Sequence, residues 1–374
     1  MSHYEPLSQA VSLRRDVIQR AVHIFRGWSY RDIEVPLLDT FEPGESAGTL
    51  QQTLQVIDKD GNLRVLRADV TPAVARLYAR QLYKDSKVLR ACYANRVVRA
   101  QRAFGRDQSE SYQIGIELIG RAGISAELEV ILICMETLSA IGADRCQVNL
   151  GSVAVMGRLL EMTGLPKVRL RDIHAAAEAR DPFEVRDILH RSGTRSNIAE
   201  ALEAIASLNS GQVQIEAIKR AVPNDTALNL AFGRLDSLTS ALTELGFGDR
   251  LNIDLGDLQG PAYYSGTIFK VVSERIGRAL GGGGRYDGLC GRFGVEAPAV
   301  GFSLHLDALI EVLQPDASAR VSAPAGSAVR VDPNNPLPGL REALARRKGD
   351  QPTLVVESSG GAPDPHRRSA HDRQ

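Results

Sequence analysis

The chain has 374 residues, of which 43% are hydrophobic and 24% charged, and its 45 basic residues balance 45 acidic ones. This composition is typical of a soluble globular protein, and no apolar run approaches the roughly 20 residues of a membrane-spanning helix. The neutral balance argues against a protein that binds long nucleic acid. The four cysteines form no Cys-x-x-Cys pair, so we expect no disulfide framework, no zinc site and a cytoplasmic location.

The N-terminal part predicts one helix and a hairpin. Apolar residues recur at helical spacing over 5–26, and the charges between them exclude a signal peptide. A short strand follows over 30–42, broken by Pro36. Residues 53–68 alternate apolar and polar on both sides of an Asp-Gly pair, which predicts a hairpin.

The following stretch predicts a helix over 71–83, whose first turn Thr71 caps ahead of a proline. Strands over 87–100 and 111–120 are joined by a polar loop, and a buried helix over 125–143 leads into a strand over 146–152. This order of strands, with few helices between them, favours an α+β class with a largely antiparallel sheet.

From 165 to 248 the chain reads as a helical insertion, because alanine-rich helical segments follow one another without a strand. Strands resume at 251–255 and 263–273. Residues 298–313 predict a strand that continues directly into a helix. We therefore expect one domain over 1–315. The extension 316–374 predicts one helix at 340–348 and one strand at 353–357, and its last residues, 358–374, are too polar to bury and are expected to be disordered.

Four consecutive glycines stand in LGGGGRYDGL, residues 280–289. No Gly-Lys-Ser/Thr follows them, and no strand–turn–helix pattern frames them, so neither a Walker loop nor a dinucleotide fingerprint is indicated. Taken alone, the run favours a tight turn. A wall that lets a small polar ligand approach the backbone is the functional alternative.

Three further places carry polar groups where a ligand could meet them. Asp69 stands at the exit of a strand, facing either a cleft or only a helix N-terminus. Gln113 and Glu117 share one face of a strand with a glycine between them, which suits either an amine or imidazole site or a solvent-facing side of the sheet. Tyr263 and Tyr264 offer hydroxyls, although paired tyrosines more often pack.

Together these segments resemble histidyl-tRNA synthetase. The stretches YRDIEVPLLDTFE, LRADVTPAVAR, SYQIGIELIG, AYYSGTIFKV and ALGGGGRYDGLCGRFG occur in the order of that family, over about residues 5 to 313. The resemblance implies a class II synthetase fold that dimerises through the first of these stretches. It also implies that the glycine run walls a histidine pocket. The residues that the resemblance assigns to histidine binding are Asp69, Thr71, Arg99, Gln113, Glu117, Tyr263, Tyr264 and Tyr286.

The nucleotide half departs from the family's pattern. In the second class II signature a glutamate follows the arginine two residues on, whereas here Gln101 follows Arg99. The Arg-Gly-Leu-Asp before the Tyr-Tyr pair is replaced by a run that begins at Gln259, and the arginine that ends the third signature is Ala308. Because adenylation depends on cations that stabilise the transferring phosphate, the resemblance implies a site that no longer adenylates.

Only the residues of 316–374 follow Pro315, fewer than an anticodon-binding domain of about 100 residues needs. This pattern resembles the regulatory subunits of ATP phosphoribosyltransferase. The resemblance implies a non-catalytic, cofactor-free subunit that joins the short-form catalytic subunit, self-associates as a dimer, binds free histidine to convey feedback inhibition, and binds neither tRNA nor membrane. The alternatives are a divergent histidine-activating enzyme and a free-standing histidine-binding protein.

Overall fold

Eight strands form one large sheet in the computed structural model, which describes residues 9–40, 53–99, 110–209, 211–257, 260–313, 327–331, 342 and 353–357. The strands are β1 (Arg31–Asp32), β5 (Leu89–Val98), β6 (Glu110–Ile119), β7 (Gln147–Ser152), β8 (Leu251–Ile253), β9 (Thr267–Ser273), β10 (Ile276–Arg285) and β11 (Ala299–His305). Their order across the sheet is β1-β5-β6-β11-β10-β9-β7-β8. Only the outer pairs, β1 with β5 and β7 with β8, run parallel within this sheet. The predicted α+β class with a largely antiparallel sheet is confirmed.

A second sheet contains the predicted hairpin. Its strands are β2 (Leu38–Thr40), β3 (Gln55–Ile57) and β4 (Leu63–Leu66), with β4 in the middle and both pairs antiparallel. Asp58 accepts hydrogen bonds from the backbone N–H groups of Asp60 and Asn62, and Gly61 takes a positive φ of 82°. The Asp-Gly signal therefore identified the turn correctly.

Helices cover the large sheet, and the elements described between β7 and β8 are all helices. The helices are α1 (Gln9–Gly27), α2 (Thr71–Leu77), α3 (Ile124–Ala140), α4 (Val153–Thr163), α5 (Lys167–Glu178), α6 (Pro182–Arg191), α7 (Ser196–Ala206), α8 (Gly211–Ala221), α9 (Thr226–Glu244) and α10 (Leu306–Leu313). The helical insertion thus begins at Val153, earlier than the residue 165 that the composition indicated. No helix in the described ranges is both long and apolar enough to cross a membrane.

The period-2 geometry of the strands separates two apolar clusters. On β6, Ile114, Ile116 and Leu118 belong to the main core with α1, α3 and the insertion helices. Gln113 and Glu117 alternate with them and lie on the opposite face of the sheet. That face is covered in part by α2, whose apolar residues form a smaller second cluster with β5 and the residues after β10.

Thr71 does not cap α2. The N-cap position is Val70, without a side-chain hydrogen bond, and the Thr71 hydroxyl instead donates to Glu117 on β6 at 2.6 Å. The predicted helix over 71–83 is α2 continued by a π-helical turn, Tyr78–Leu82. A tertiary partner has replaced the local cap that the sequence suggested.

The glycine run is a strand and not a tight turn. Gly281 to Gly284 lie inside β10, where they pair with β9 on one side and β11 on the other. A Cβ atom on Gly282 would lie 2.5 Å from the carbonyl oxygen of Phe269, so the neighbouring backbone leaves no room for a side chain. The strand predicted over 263–273 begins only at Thr267, so Tyr263 and Tyr264 precede it.

The chain divides into two units, residues 1–315 and 316–374. In the second unit, β12 (Ser327–Val331) pairs in parallel with β13 (Thr353–Glu357), which confirms the predicted strand at 353–357. The tail, 358–374, lies outside the described residues, as does the polar loop predicted at 100–111 apart from its last two residues, which belong to β6. The helix predicted at 340–348 also lies outside them, apart from helical Glu342.

Candidate ligand-binding site

A cavity of about 1240 Å³ lies on the face of the large sheet that carries Gln113, between the sheet and α2. A Cβ atom on Gly301 would lie 2.0 Å from a carboxylate oxygen of Glu117. The Glu117 carboxylate thus covers Gly301, whereas the backbone of Gly282 is part of the cavity wall, where a ligand can contact it.

Glu117 lies behind the wall of this cavity and is 1% exposed. One carboxylate oxygen accepts hydrogen bonds from the Thr71 hydroxyl at 2.6 Å and from the Tyr93 hydroxyl at 3.2 Å. The other accepts from the Tyr286 hydroxyl. Three hydroxyl groups from three elements thus converge on one buried carboxylate.

Burial controls the protonation of Glu117. Desolvation raises its pKa to about 8, and the nearby Asp69 charge also raises it, whereas the hydroxyl groups of Thr71, Tyr286 and Tyr93 lower it. Most molecules therefore carry a proton on Glu117 at neutral pH. Protonation of this group is also linked to folding, because the unfolded chain holds the proton less tightly.

Asp69 and three tyrosines form one side of the cavity. The Tyr263 hydroxyl donates to Asp69 at 2.5 Å. The Tyr263 ring lies edge-on to the rings of Tyr264 and Tyr286, with centroid distances of 5.4 and 5.8 Å. Such edge-to-face packing fixes ring orientation, so the acidic group and the aromatic surface are held together.

Gln113 is the polar group on the cavity wall that lacks a partner within the described ranges. It is 1% exposed, and its carbonyl oxygen, Oε1, is buried without a hydrogen bond. The interpretation of Gln113 and Glu117 as a solvent-facing side of the sheet is therefore wrong. A buried carbonyl without a partner is costly, and a ligand N–H group would satisfy it.

Basic residues line the other end of the cavity, and several of them pair within the chain. Lys270 contacts Asp257, Arg278 contacts Glu311, and Arg275 donates to the carbonyl oxygen of Val312 at 2.7 Å. Arg99, which also lines the cavity, donates through Nε to the carbonyl oxygen of Ala68 at 3.1 Å. These contacts reduce the positive charge that this end could offer to a phosphate.

His305 occupies this basic end and stands where the family's third signature has a glycine. It is opposite Gln113 in the β11–β6 pairing. Burial, together with the charges of Arg99 and Arg278, lowers the pKa of His305 to about 3, so the imidazole is neutral. Three residues on, Ala308 is fully buried in the main core and does not line the cavity. Gln101 and Gln259 lie outside the described residues.

Comparison with known proteins identifies the family. The family described as histidyl-tRNA synthetase matches residues 5–309. A curated relative from Moorella thermoacetica named ATP phosphoribosyltransferase regulatory subunit is 32% identical over 305 residues, which cover 81% of this chain and 78% of that protein. The chain belongs to this family of synthetase-like regulatory subunits.

Solved structures agree on the fold. A crystal structure from Bacillus halodurans, described as an ATP phosphoribosyltransferase regulatory subunit/histidyl-tRNA synthetase, superimposes with a TM-score of 0.84 at 24% identity, over 96% of this chain and 92% of that chain. A histidyl-tRNA synthetase from Nostoc sp. PCC 7120 gives 0.76 at 17% identity, over 94% and 83%. The predicted class II synthetase-like fold is confirmed.

The structure of this chain brings all eight predicted site residues to one region. Asp69, Thr71, Arg99, Gln113, Tyr263, Tyr264 and Tyr286 line the cavity, and Glu117 supports it from behind. Sequence reasoning missed Tyr93, which donates to Glu117, and His305. The pairing of Tyr93 with Gly115 across β5 and β6 was the available signal, because a tyrosine opposite a glycine can lie over it.

Proposed function

We propose that this protein is the non-catalytic regulatory subunit of ATP phosphoribosyltransferase, the enzyme of the first step of histidine biosynthesis. It joins a short-form catalytic subunit in the cytoplasm, binds free histidine and conveys feedback inhibition. The name of the Moorella relative supports the assignment to the complex. The observation that supports histidine sensing is the buried, unpartnered carbonyl of Gln113 in a cavity that also presents Asp69 and three tyrosines.

The cavity suits a small zwitterion with an aromatic side chain. Asp69 and the Gln113 carbonyl accept hydrogen bonds from the ligand ammonium group, and the guanidinium of Arg99 binds its carboxylate. The imidazole lies among the rings of Tyr263, Tyr264 and Tyr286. Aromatic edges and hydroxyls together match a ring that is both flat and polar.

Glu117 orients the pocket in this proposal. Both of its oxygens already accept protein hydroxyls, so it holds Thr71 and Tyr286 in place. The resemblance assigns Glu117 to histidine binding; in this proposal it acts on the ligand through those hydroxyl groups. Its partly protonated state lets it gain negative charge when a cation binds nearby.

Two features support the absence of adenylation. Lys270 and Arg278 are paired with carboxylates of the same chain. Ala308 lies in the apolar core where the family has an arginine for ATP. Each missing cation contributes about 2–4 kcal/mol to stabilising a transferring phosphate, so the loss of the two arginines that Gln259 and Ala308 replace costs roughly 10³-fold or more in rate.

We also propose a dimer formed through the small sheet. Exposed apolar side chains cluster on this sheet and the stretch before it; they are Leu37, Leu38, Leu54, Val56, Ile57 and Leu63. Ile57 is 76% exposed. The patch includes the first resemblance stretch, and a second copy would cover it. Ile57→Lys is expected to shift the mass in light scattering from dimer toward monomer; an unchanged mass contradicts this contact.

The decisive experiment uses the purified chain alone and reconstituted with a short-form catalytic subunit. We expect calorimetry to show histidine binding to the chain alone, with no histidine-dependent ATP–pyrophosphate exchange. The complex is expected to transfer phosphoribosyl groups and to be inhibited by histidine. Exchange above background would establish the divergent histidine-activating enzyme instead. Binding without any effect on the catalytic subunit would favour a free-standing histidine-binding protein.

A further inference from the structure

A buried ion cluster connects the helical insertion to the strand that ends at the cavity. It consists of Glu127, Arg234 and Arg285 and is called the Glu127 cluster below. Glu127 lies in the first turn of α3 and is 1% exposed, Arg234 lies on insertion helix α9, and Arg285 is the last residue of β10. None of the three lines the cavity. Their contacts therefore act on the site only through other residues.

One oxygen of Glu127 carries both guanidinium contacts. Oε2 accepts from Arg234, through Nε at 2.6 Å and through Nη2, and lies 3.4 Å from Nη2 of Arg285. The same Arg285 nitrogen donates to the carbonyl oxygen of Gly123 at 2.9 Å. In the described part of the chain, Oε1 of Glu127 and Nε of Arg285 have no hydrogen-bond partner. If Arg234 is removed, few other groups in the cluster can therefore compensate the buried charge of Glu127.

Arg285 fixes the corner of the chain that carries Tyr286. Its carbonyl oxygen accepts from the backbone N–H of Ser265 at 2.8 Å, and its Nη1 donates to Asp287 at 3.0 Å. The N–H of Asp287 donates to the Ser265 hydroxyl at 3.0 Å, and Asp287 accepts from the N–H of Ala299 at 2.9 Å. Tyr286, between Arg285 and Asp287, is held in the same network and presents its hydroxyl to Glu117.

We propose that Glu127 and Arg234 are positioning residues, through which the helical insertion sets the placement of Arg285 and hence of Tyr286 and the Tyr263–Ser265 segment. The helical insertion then influences the ligand site although the Glu127 cluster does not line the cavity. Ligand binding at the tyrosines and the docking of α9 stabilise each other, because coupling between two sites is reciprocal. The identity of the ligand as histidine rests on the proposed function; the positioning itself does not.

The test replaces Arg234 by Met, which keeps the aliphatic stem and removes the charge. A matched control is Arg158→Met, because Arg158 also ties α9 to a neighbouring helix, through Asp225 at 2.8 Å. The side chains of Arg158 and Arg234 are 38% and 34% exposed, and their partners 8% and 2%. Arg158 has no contact with Glu127. Both variants thus remove a similar arginine–carboxylate contact of α9, but only Arg234 is linked to the ligand site through Glu127 and Arg285.

Hydrogen exchange of the unliganded protein is measured first. We expect the amides of Ser265, Tyr286 and Asp287 to exchange roughly tenfold faster in Arg234→Met, and unchanged in Arg158→Met. Arg234→Lys, which restores the charge, is expected to recover much of the protection. Equal exchange in wild type and Arg234→Met at these amides overturns the proposal, and so does equal acceleration in Arg158→Met.

Histidine titration then adds a functional readout. Arg234→Met is expected to weaken histidine binding by roughly 5- to 20-fold, and Arg158→Met by less than about twofold. If wild type binds no histidine, the proposed function fails, and the exchange data still decide the positioning. If wild type binds histidine and both variants bind equally well, the positioning is wrong although the proposed function stands.

Discussion

The two ends of the cavity treat their polar groups in opposite ways. At the tyrosine end, hydroxyl groups satisfy Glu117 and Asp69, and at Gln113, which lies opposite His305, a buried carbonyl oxygen has no partner in the described residues. At the basic end, Lys270 and Arg278 are neutralised by carboxylates of the same chain. The carbonyl of Gln113 thus stays available to a ligand, whereas Lys270 and Arg278 at the basic end already bind acidic residues of the chain.

Under the proposed function, this difference explains how one fold keeps recognition and loses chemistry. A small cationic ligand needs only a few acceptors and an apolar wall, which the tyrosine end retains. Phosphate activation needs cations whose charge is not already compensated when the substrate arrives. Carboxylates of the same chain compensate the charges of Lys270 and Arg278, although both residues still line the cavity, so residue counts alone would have been misleading.

The largest expected effect comes from the floor of the tyrosine end. In Gly301→Ala the new Cβ atom would lie 2.0 Å from Glu117 Oε2 and 2.5 Å from the carbonyl oxygen of Ile116. We expect the free energy of unfolding to fall by about 3 kcal/mol and histidine binding to become undetectable. Urea denaturation and calorimetry measure the two quantities. Gly277→Ala on β10 has no atom within 4 Å of its Cβ and is the control; a similar loss there would contradict the steric explanation.

Gln113 tests the unpartnered carbonyl. Gln113→Leu removes a hydrogen bond to a charged ligand group, which contributes ~1.5–3 kcal/mol, so histidine should bind roughly 10- to 100-fold more weakly. The free energy of unfolding should be unchanged or higher, because a buried group without a partner is removed. Gln113→Glu keeps an acceptor and should retain binding. Unchanged affinity in Gln113→Leu would place the ligand elsewhere.

Glu117 makes the stability of the unliganded protein depend on pH. Burial raises its pKa to about 8 from an ordinary value of 4.5, so between these values the folded state binds more protons than the unfolded state. The free energy of unfolding therefore falls as the pH rises, by at most ~1.4 kcal/mol per unit. Glu117→Gln cannot ionise and should lose this slope. Parallel pH profiles of urea midpoints for the two proteins would show that Glu117 is not protonated in the folded state.

The smallest effect is expected at the basic end. His305→Gly restores the glycine of the third signature and enlarges the cavity, yet the pairing of Lys270 and Arg278 persists. We expect ATP to bind no tighter than the millimolar range, measured by calorimetry against wild type. Micromolar binding would show that the His305 ring, and not the pairing of the cations, closes this end. That result would change the comparison between the two ends.

Local patterns in the sequence predicted much of the fold. The hairpin at Asp60 and Gly61 follows from turn chemistry, and the alternation on β6 follows from side-chain period. The glycine run was misinterpreted as a tight turn because four glycines show no alternation of apolar and polar side chains. Only the pairing with β9 and β11 makes them a strand. The start of the insertion was missed because Val153 follows β7 directly, without a loop to mark it.

For the site, the sequence and the resemblance identified which residues meet but not how they bond. Thr71 reads as a cap, because its partner Glu117 is distant in sequence. The hydroxyl groups that contact Glu117 include those of Tyr93 on β5 and Tyr286 after β10, two segments far apart in the sequence. Such contacts join segments that are far apart in the sequence, so no short stretch of sequence predicts them.

The central pairing of the large sheet also determines when the cavity can exist. β6 pairs with β11, and Gln113 lies opposite His305, so the whole helical insertion must be synthesised before the two strands can meet. Contacts between distant segments form late, whereas the helices of the insertion pack with near neighbours and can fold first. A nascent chain therefore cannot bind a ligand in this cavity until β11 has left the ribosome. Any stabilisation by the ligand acts on the finished domain and not on its assembly.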